Sequence, residues 1–298
     1  MLQFGWIRVT YVETNSDLLR WSIGKVSISA IPEIDVHLGA SFFFPGVTDP
    51  EVSSIDWLHP RFVSPQGEIM MRMQAFIVRT PTQLIVVDTC FGNDKKRLGG
   101  SNMLKTPFLE RFKASGCDPG EVDVVLCTHL HVDHVGWNTR LEEGRWVPTF
   151  PNARYLIARI EHENWRAEPG SSEADLFADS IQPIFDAGLV DLVETDHQVC
   201  PEVNLVPTPG HTRGHVSVQI GSDGESALIT GDFVHHPLQI ARPDLASFID
   251  EDPATGAETR RRWWSSLSTG ETLLIGSHFM PPVAGKVRPD RDTFKLSD

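Results

Sequence analysis

Three imidazoles and a carboxylate crowd into the segment Thr128-His129-Leu130-His131-Val132-Asp133-His134. Neutral imidazole nitrogens and ionised carboxylates are the donors that a borderline-soft divalent cation prefers. His129 and His131 lie two residues apart, so in extended backbone their side chains point the same way. Asp133 and His134 can curl around a second position as the chain turns, so one short segment could face two metal ions. Two divalent ions about 3.5–4 Å apart can share one water and lower its pKa from about 15.7 toward 7. A bridging hydroxide then exists at neutral pH without a strong protein base. A carbonyl oxygen leaning on one ion would be stabilised as negative charge develops on it.

Three further segments carry the same donor types. They are Pro209-Gly210-His211-Thr212-Arg213-Gly214-His215, Thr230-Gly231-Asp232 and Gly276-Ser277-His278. Each follows a short apolar run that reads as a strand, and strand ends are where α/β proteins build sites. A solvated polar turn explains any one of these segments alone. It does not explain four of them at four strand ends.

The elements that must position these residues follow from pattern and punctuation. Val122–Cys127, just before the histidine-rich segment, is a continuous apolar run and predicts a buried strand. Lys25–Ile31 alternates and predicts a strand, and Gln74–Arg79 and Leu84–Val87 predict a hairpin around Thr80-Pro81-Thr82. Leu104–Ala114 has helical spacing and stops at Gly116, and Ser172–Ala187 stops at Gly188. Arg154–Ala158, Val203–Val206, Val216–Ile220, Ala227–Thr230 and Thr272–Ile275 predict further strands, and Glu258–Leu267 predicts a helix. Pro32–Pro65 reads as a long ordered loop or embellishment. Leu141–Pro151 reads as a loop of the kind that forms functional lids. No linker composition separates the halves, so residues 1–298 read as a single domain with an N-terminal embellishment around residues 32–65.

Net charge is −14 with His neutral, which opposes binding to a phosphate backbone and argues against a nucleic-acid partner. The dense basic run Arg260-Arg261-Arg262, followed by Trp263-Trp264, reads as a helix's solvated face beside its buried face. Cys90, Cys117, Cys127 and Cys200 show no CxxC spacing and predict free thiols in a reducing compartment. Met1–Arg8 lacks a basic region followed by an apolar stretch, and no apolar run is long enough to span a bilayer. Together these predict a cytoplasmic protein without a membrane partner.

On these motifs the sequence resembles the metallo-β-lactamase-fold hydrolase superfamily. Its HxHxDH pattern matches His129–His134, and its later His, Asp and His positions match His211, Asp232 and His278; Pro32–Pro65 lies outside the match. The resemblance implies an α/β (α+β) fold, a four-layer αββα sandwich of two mixed sheets with helices outside. It also implies two divalent metal ions, with zinc foremost and manganese, cobalt or iron as other fits. His129, His131 and His211 would hold one ion, Asp133, His134 and His278 the other, and Asp232 would bridge them. Asp88, at the end of Leu84–Val87, matches a buried aspartate that orients the ligand loop. His215 is expected behind the ligands rather than among them. Asp133 is the expected proton shuttle, and His235 sits where some relatives place a substrate-facing side chain.

The bridging Asp232 argues against a true β-lactamase of this fold, which lacks it. The intact His motif argues against flavodiiron relatives, and the full ligand set argues against an iron oxidase or a non-catalytic member. The expectation is hydrolysis of a small neutral lactone or carboxylic ester, on the lactonase or methyl parathion hydrolase-like branch. An aryl organophosphate or aryl halide substrate is the alternative. Trp57, Phe42–Phe44, Trp137 and Trp146 could line an apolar pocket, and the aromatic N-terminal region could also supply a homodimer interface.

Overall fold

Leu84–Val87 and Val124–Leu126 contain no polar residue, and a strand without a polar face must be covered on both sides. In the computed structural model, which describes residues 8–10, 18–97, 99–167 and 173–297, every residue of both strands is buried. They pair in parallel, Val86 opposite Val125. Arg154–Ala158 and then Val190–Val193 continue the parallel set. Glu68–Arg79 pairs antiparallel on the other side of Leu84–Val87. The expected hairpin closes at Thr80, whose hydroxyl accepts the N–H groups of Thr82 and Gln83 at 3.2 and 2.9 Å. Val26–Gly39, Arg20–Ile23 and Arg8–Thr10 complete an eight-stranded sheet among the described residues.

The chain divides into two compact units. One comprises residues up to Ile34 with Met73–Glu194, and the other comprises Asp35–Arg72 with Thr195–Asp298. In the first, helix Phe108–Ala114 ends at Gly116, which takes the left-handed φ of 89° as a C-cap glycine does. Phe108 and Phe112 face inward from successive turns, and Phe108 stacks on Trp137 with centroids 5.3 Å apart. Trp137 is therefore core. Its indole N–H donates to Glu33 at 2.7 Å. In the second unit, among the described residues, seven strands run in the order Gln198–Cys200, Val203–Pro207, Val216–Ser222, Glu225–Ile229, Leu273–Ile275, Ala284–Asp290 and Thr293–Ser297. The one parallel pair, Glu225–Ile229 with Leu273–Ile275, needs a long crossover, and helix Pro253–Leu267 lies on it.

Several expectations need correction. The strand expected at Lys25–Ile31 runs on to Gly39. Pro32, Glu33 and Asp35 read as strand breakers, but each acidic side chain has partners. Asp35 takes a two-pronged ion pair from Arg72 at 2.7 and 3.0 Å. Glu33, fully buried, accepts from Phe91, Gly92, Thr106 and Trp137. Burial still pushes its carboxyl up, against those hydrogen bonds. Residues 40–58 form short helical turns rather than a loop, one of them closed by a Thr48–Glu51 capping box. Leu141–Pro151 is mostly hairpin, Thr139–Glu142 with Arg145–Pro148. Glu143 and Gly144 both have positive φ at its turn, which suits a tight two-residue connection.

The helix expected over Ser172–Ala187 begins, within the described residues, at Glu173 and is interrupted by a π turn at Phe177–Ile181. Pro183 has no N–H to give the carbonyl of Asp179. The buried Lys95 ammonium takes that carbonyl instead, at 3.0 Å. All four cysteines are free and buried. Burial pushes the Cys127 thiol up to about 12 and raises Cys90 and Cys200, so none of these three is a thiolate at neutral pH. No helix among the described residues is long and apolar enough to cross a membrane.

Candidate metal centre

In the first unit, the apolar strand Val124–Leu126 delivers the chain into the segment Thr128–His134. That segment is held from behind by Asp88, which ends Leu84–Val87 in a left-handed backbone conformation (φ 56°). Asp88 Oδ1 accepts the Thr128 N–H at 2.8 Å, and Oδ2 accepts the Thr128 hydroxyl at 2.9 Å. Oδ2 also lies 2.9 Å from His134 Nδ1. A carboxylate only accepts, so His134 carries its proton on Nδ1 and leaves Nε2 as a lone pair. The Thr128 hydroxyl spends its hydrogen on Asp88, so at 3.1 Å it accepts from His129 Nδ1, which leaves His129 Nε2 unprotonated. One carboxylate thus fixes two imidazoles, one directly and one through a threonine. His129 Nε2 and His131 Nδ1 are 3.0 Å apart, and Asp133 Oδ2 is 3.8 Å from His134 Nε2. Glu161, buried, holds the loop's Leu130 N–H at 3.1 Å.

In the second unit the organising group is Asp232. Its carboxylate is 2% exposed and faces the Nε2 atoms of three histidines. The distances are 3.0 Å to His278, 3.3 Å to His235 and 3.5 Å to His211. His278 Nδ1 donates to the Arg72 carbonyl at 3.1 Å, and His211 Nδ1 donates to Asp250 at 3.0 Å. Each therefore turns a lone pair toward an acceptor. Two acceptors pointed at one another repel unless a cation lies between them or the imidazole takes a second proton. That donor set fits a divalent metal ion.

His215 stands behind Asp232. Its Nε2 accepts the Asp232 N–H at 2.7 Å. Its Nδ1 then donates to Thr208 Oγ1 at 2.8 Å, Thr208 to Ser217 at 2.9 Å, and Ser217 to the Thr230 carbonyl at 2.6 Å. The relay has one consistent direction, and it fixes the turn that carries Asp232. His235 is 1% exposed, and neither ring nitrogen has a hydrogen-bond partner among the described residues. Phe43 packs edge-on against it at 5.2 Å.

Among the described residues, those grouped so as to hold a metal ion are His129, His131, Asp133 and His134 in the first unit. In the second they are His211, Asp232, His235, Asp250 and His278. Asp250 was not legible in the sequence: it lies far along the chain from His211, in a turn with no motif. Burial alone would raise its carboxyl. The hydrogen bond from His211 and the positive charge of Arg260 outweigh that and hold it well below the usual carboxylate range. The expected pocket aromatics divide: Phe44 and Trp137 are core, Trp146 lies under the Lys95 ammonium, and Phe42 is exposed.

Residues 74–277 match the family profile of the metallo-beta-lactamase superfamily, and the chain belongs to that superfamily. It is similar to an N-acyl homoserine lactonase from a Bacillus species, 29% identical over 179 residues, 55% of this chain and 64% of that protein. The match thus spans slightly less than two thirds of that relative. It is similar as well to the N-acyl homoserine lactonase of Bacillus cereus, 24% identical over 213 residues, 66% of this chain and 74% of that one. Among solved structures it resembles AbOPH, a hydrolase in the beta lactamase superfamily, with a TM-score of 0.80, 24% identity, and 95% and 98% of the two chains covered. It also resembles AidC, a dizinc quorum-quenching lactonase, with a TM-score of 0.78, 20% identity, and 94% and 96% covered. The mixed α/β, metallo-β-lactamase fold expected from the motifs is therefore the fold found.

Proposed function

We propose that this chain is a dinuclear metal-dependent hydrolase of a small neutral lactone or carboxylic ester. His129, His131 and His211 would hold one divalent ion, Asp133, His134 and His278 the other, and Asp232 would contribute to both. Zinc is the ion proposed, and manganese, cobalt or iron suit the same donors. The observation that carries this reading is the pair of imidazoles, His211 and His278, whose far nitrogens are tied and whose near nitrogens face one buried carboxylate. The lactonase relatives support the substrate class.

Bound divalent ions supply an acidified water and a positive charge for the substrate's carbonyl oxygen. The protein supplies the rest. Asp88, Asp250 and the Arg72 carbonyl fix which nitrogen of His134, His211 and His278 is offered. Asp133 carries the proton to the leaving alkoxide in this reading. His235, whose ring nitrogens have no hydrogen-bond partner among the described residues, contacts the substrate, and Phe43 packs against its ring. Buried, unreactive thiols agree with a cytoplasmic setting, and the acidic surface disfavours nucleic acid.

A hydrolase panel on metal-loaded protein tests this: lactones of varied chain length, aryl esters, thioesters, phosphotriesters and aryl halides. The highest kcat/KM falls on a lactone or carboxylic ester. Preference for a phosphotriester or aryl halide, or no turnover at all, would overturn the substrate class.

A further inference from the structure

Of the three consecutive arginines, Arg261 and Arg262 are exposed while Arg260 is completely buried. A buried guanidinium is costly unless it is paired and hydrogen-bonded. Its Nε donates to the Pro243 carbonyl at 2.8 Å and its Nη1 to the Phe233 carbonyl at 3.2 Å. Nη1 also lies 3.7 Å from Asp250 Oδ2. Phe233 is the residue after Asp232, and Asp250 is the carboxylate behind His211. One cation therefore reaches both loops that present metal donors.

Its helix is pressed against the His211 loop. A Cβ on Gly210 would lie 2.3 Å from the Gly256 backbone, and Thr259 Oγ1 donates to the Pro209 carbonyl at 2.8 Å. Asp250 is otherwise filled by Ser247, which gives its N–H at 3.1 Å and its hydroxyl at 2.7 Å.

We infer that Arg260 and Asp250 form one positioning unit for the metal centre. Asp250 fixes the proton of His211 on Nδ1 and aims its Nε2. Arg260, anchored on the Pro243 and Phe233 carbonyls, holds Asp250 in place and so acts on His211. Neither residue touches substrate. The inference rests on the metal centre proposed above and adds two residues that the ligand motif does not contain.

The test is metal affinity. Zinc binding by wild type, Arg260→Met, Asp250→Asn and the double variant is measured by competition with a chromogenic chelator, with circular dichroism as the check on folding. In each single variant one of the two ions should bind about 10–100-fold more weakly while the other is nearly unchanged. The double variant should be no weaker than the weaker single, because both act through His211. Equal weakening of both ions alongside a lower melting temperature is the mark of a merely structural role and overturns the inference. So do wild-type affinities in folded Asp250→Asn, which stands alone should Arg260→Met fail to fold, and so do losses that multiply in the double variant. A wild type that binds no metal overturns the proposed centre itself, a different result from a wild type with two ions and insensitive variants.

Discussion

Asp88 Oδ2 lies 2.9 Å from His134 Nδ1, and the same carboxylate takes the N–H and hydroxyl of Thr128. Replacing Asp88 with Ala leaves His134 free to choose its tautomer and strands the Thr128 N–H in a buried site. Metal affinity should fall about 10–100-fold, and stability by about 1–3 kcal/mol. Chelator titration and urea unfolding of the metal-free protein measure the two effects separately. Unchanged affinity would remove Asp88 from the centre.

Asp232→Asn keeps the shape of the side chain proposed to bridge the ions and removes its charge. Metal content should drop and turnover should fall below detection, while the circular dichroism spectrum stays close to wild type. His215→Ala reaches only the N–H behind that carboxylate, so its loss of metal affinity should be smaller than that of Asp232→Asn. Near-wild-type activity in Asp232→Asn contradicts the bridging role.

Gly210 has a φ of 130°, and a methyl group there would sit 2.3 Å from the backbone of Gly256. Gly210→Ala should cost about 2–4 kcal/mol from backbone strain and overpacking together. Urea midpoints at constant slope would show it. A tolerated alanine would mean that the helix does not pin the His211 loop.

His236 donates from Nε2 to the Phe62 carbonyl at 2.9 Å and accepts the Leu238 N–H on Nδ1 at 3.1 Å, so it is neutral. Burial pulls its pKa down to about 4, with the hydrogen bond to Phe62 acting weakly against this. The unfolded chain titrates this group near 6.5. The unfolded state therefore binds the extra proton first as pH falls. Stability from this group is complete above about pH 6.5 and is lost as pH drops through about 4, up to about 3 kcal/mol. In metal-free protein, His236→Gln should flatten the pH dependence of unfolding free energy across that window. An unaltered slope would contradict the assignment.

The proposed ligands were legible because metal chemistry restricts residue type and strand ends restrict position: His129, His131, Asp133, His134, His211, Asp232 and His278 each follow an apolar run. Asp88 was legible for the same reason. Asp250 and Arg260 were not, because a buried ion pair depends on three-dimensional proximity and leaves no periodic trace. A basic triplet reads as solvated whichever member turns inward. The strand through Pro32, Glu33 and Asp35 was hidden by residues that oppose strands alone and are satisfied here only by distant partners such as Arg72 and Trp137. The C-terminal hairpin Ala284–Asp290 with Thr293–Ser297 was missed because its exposed edge carries charge rather than an apolar stripe.

The most direct test of the proposed centre is elemental analysis of purified, metal-supplemented protein. Two equivalents of zinc, manganese or cobalt per chain is the expected result, falling in Asp232→Asn. A single iron, or no metal in folded protein, would contradict a dinuclear hydrolytic centre.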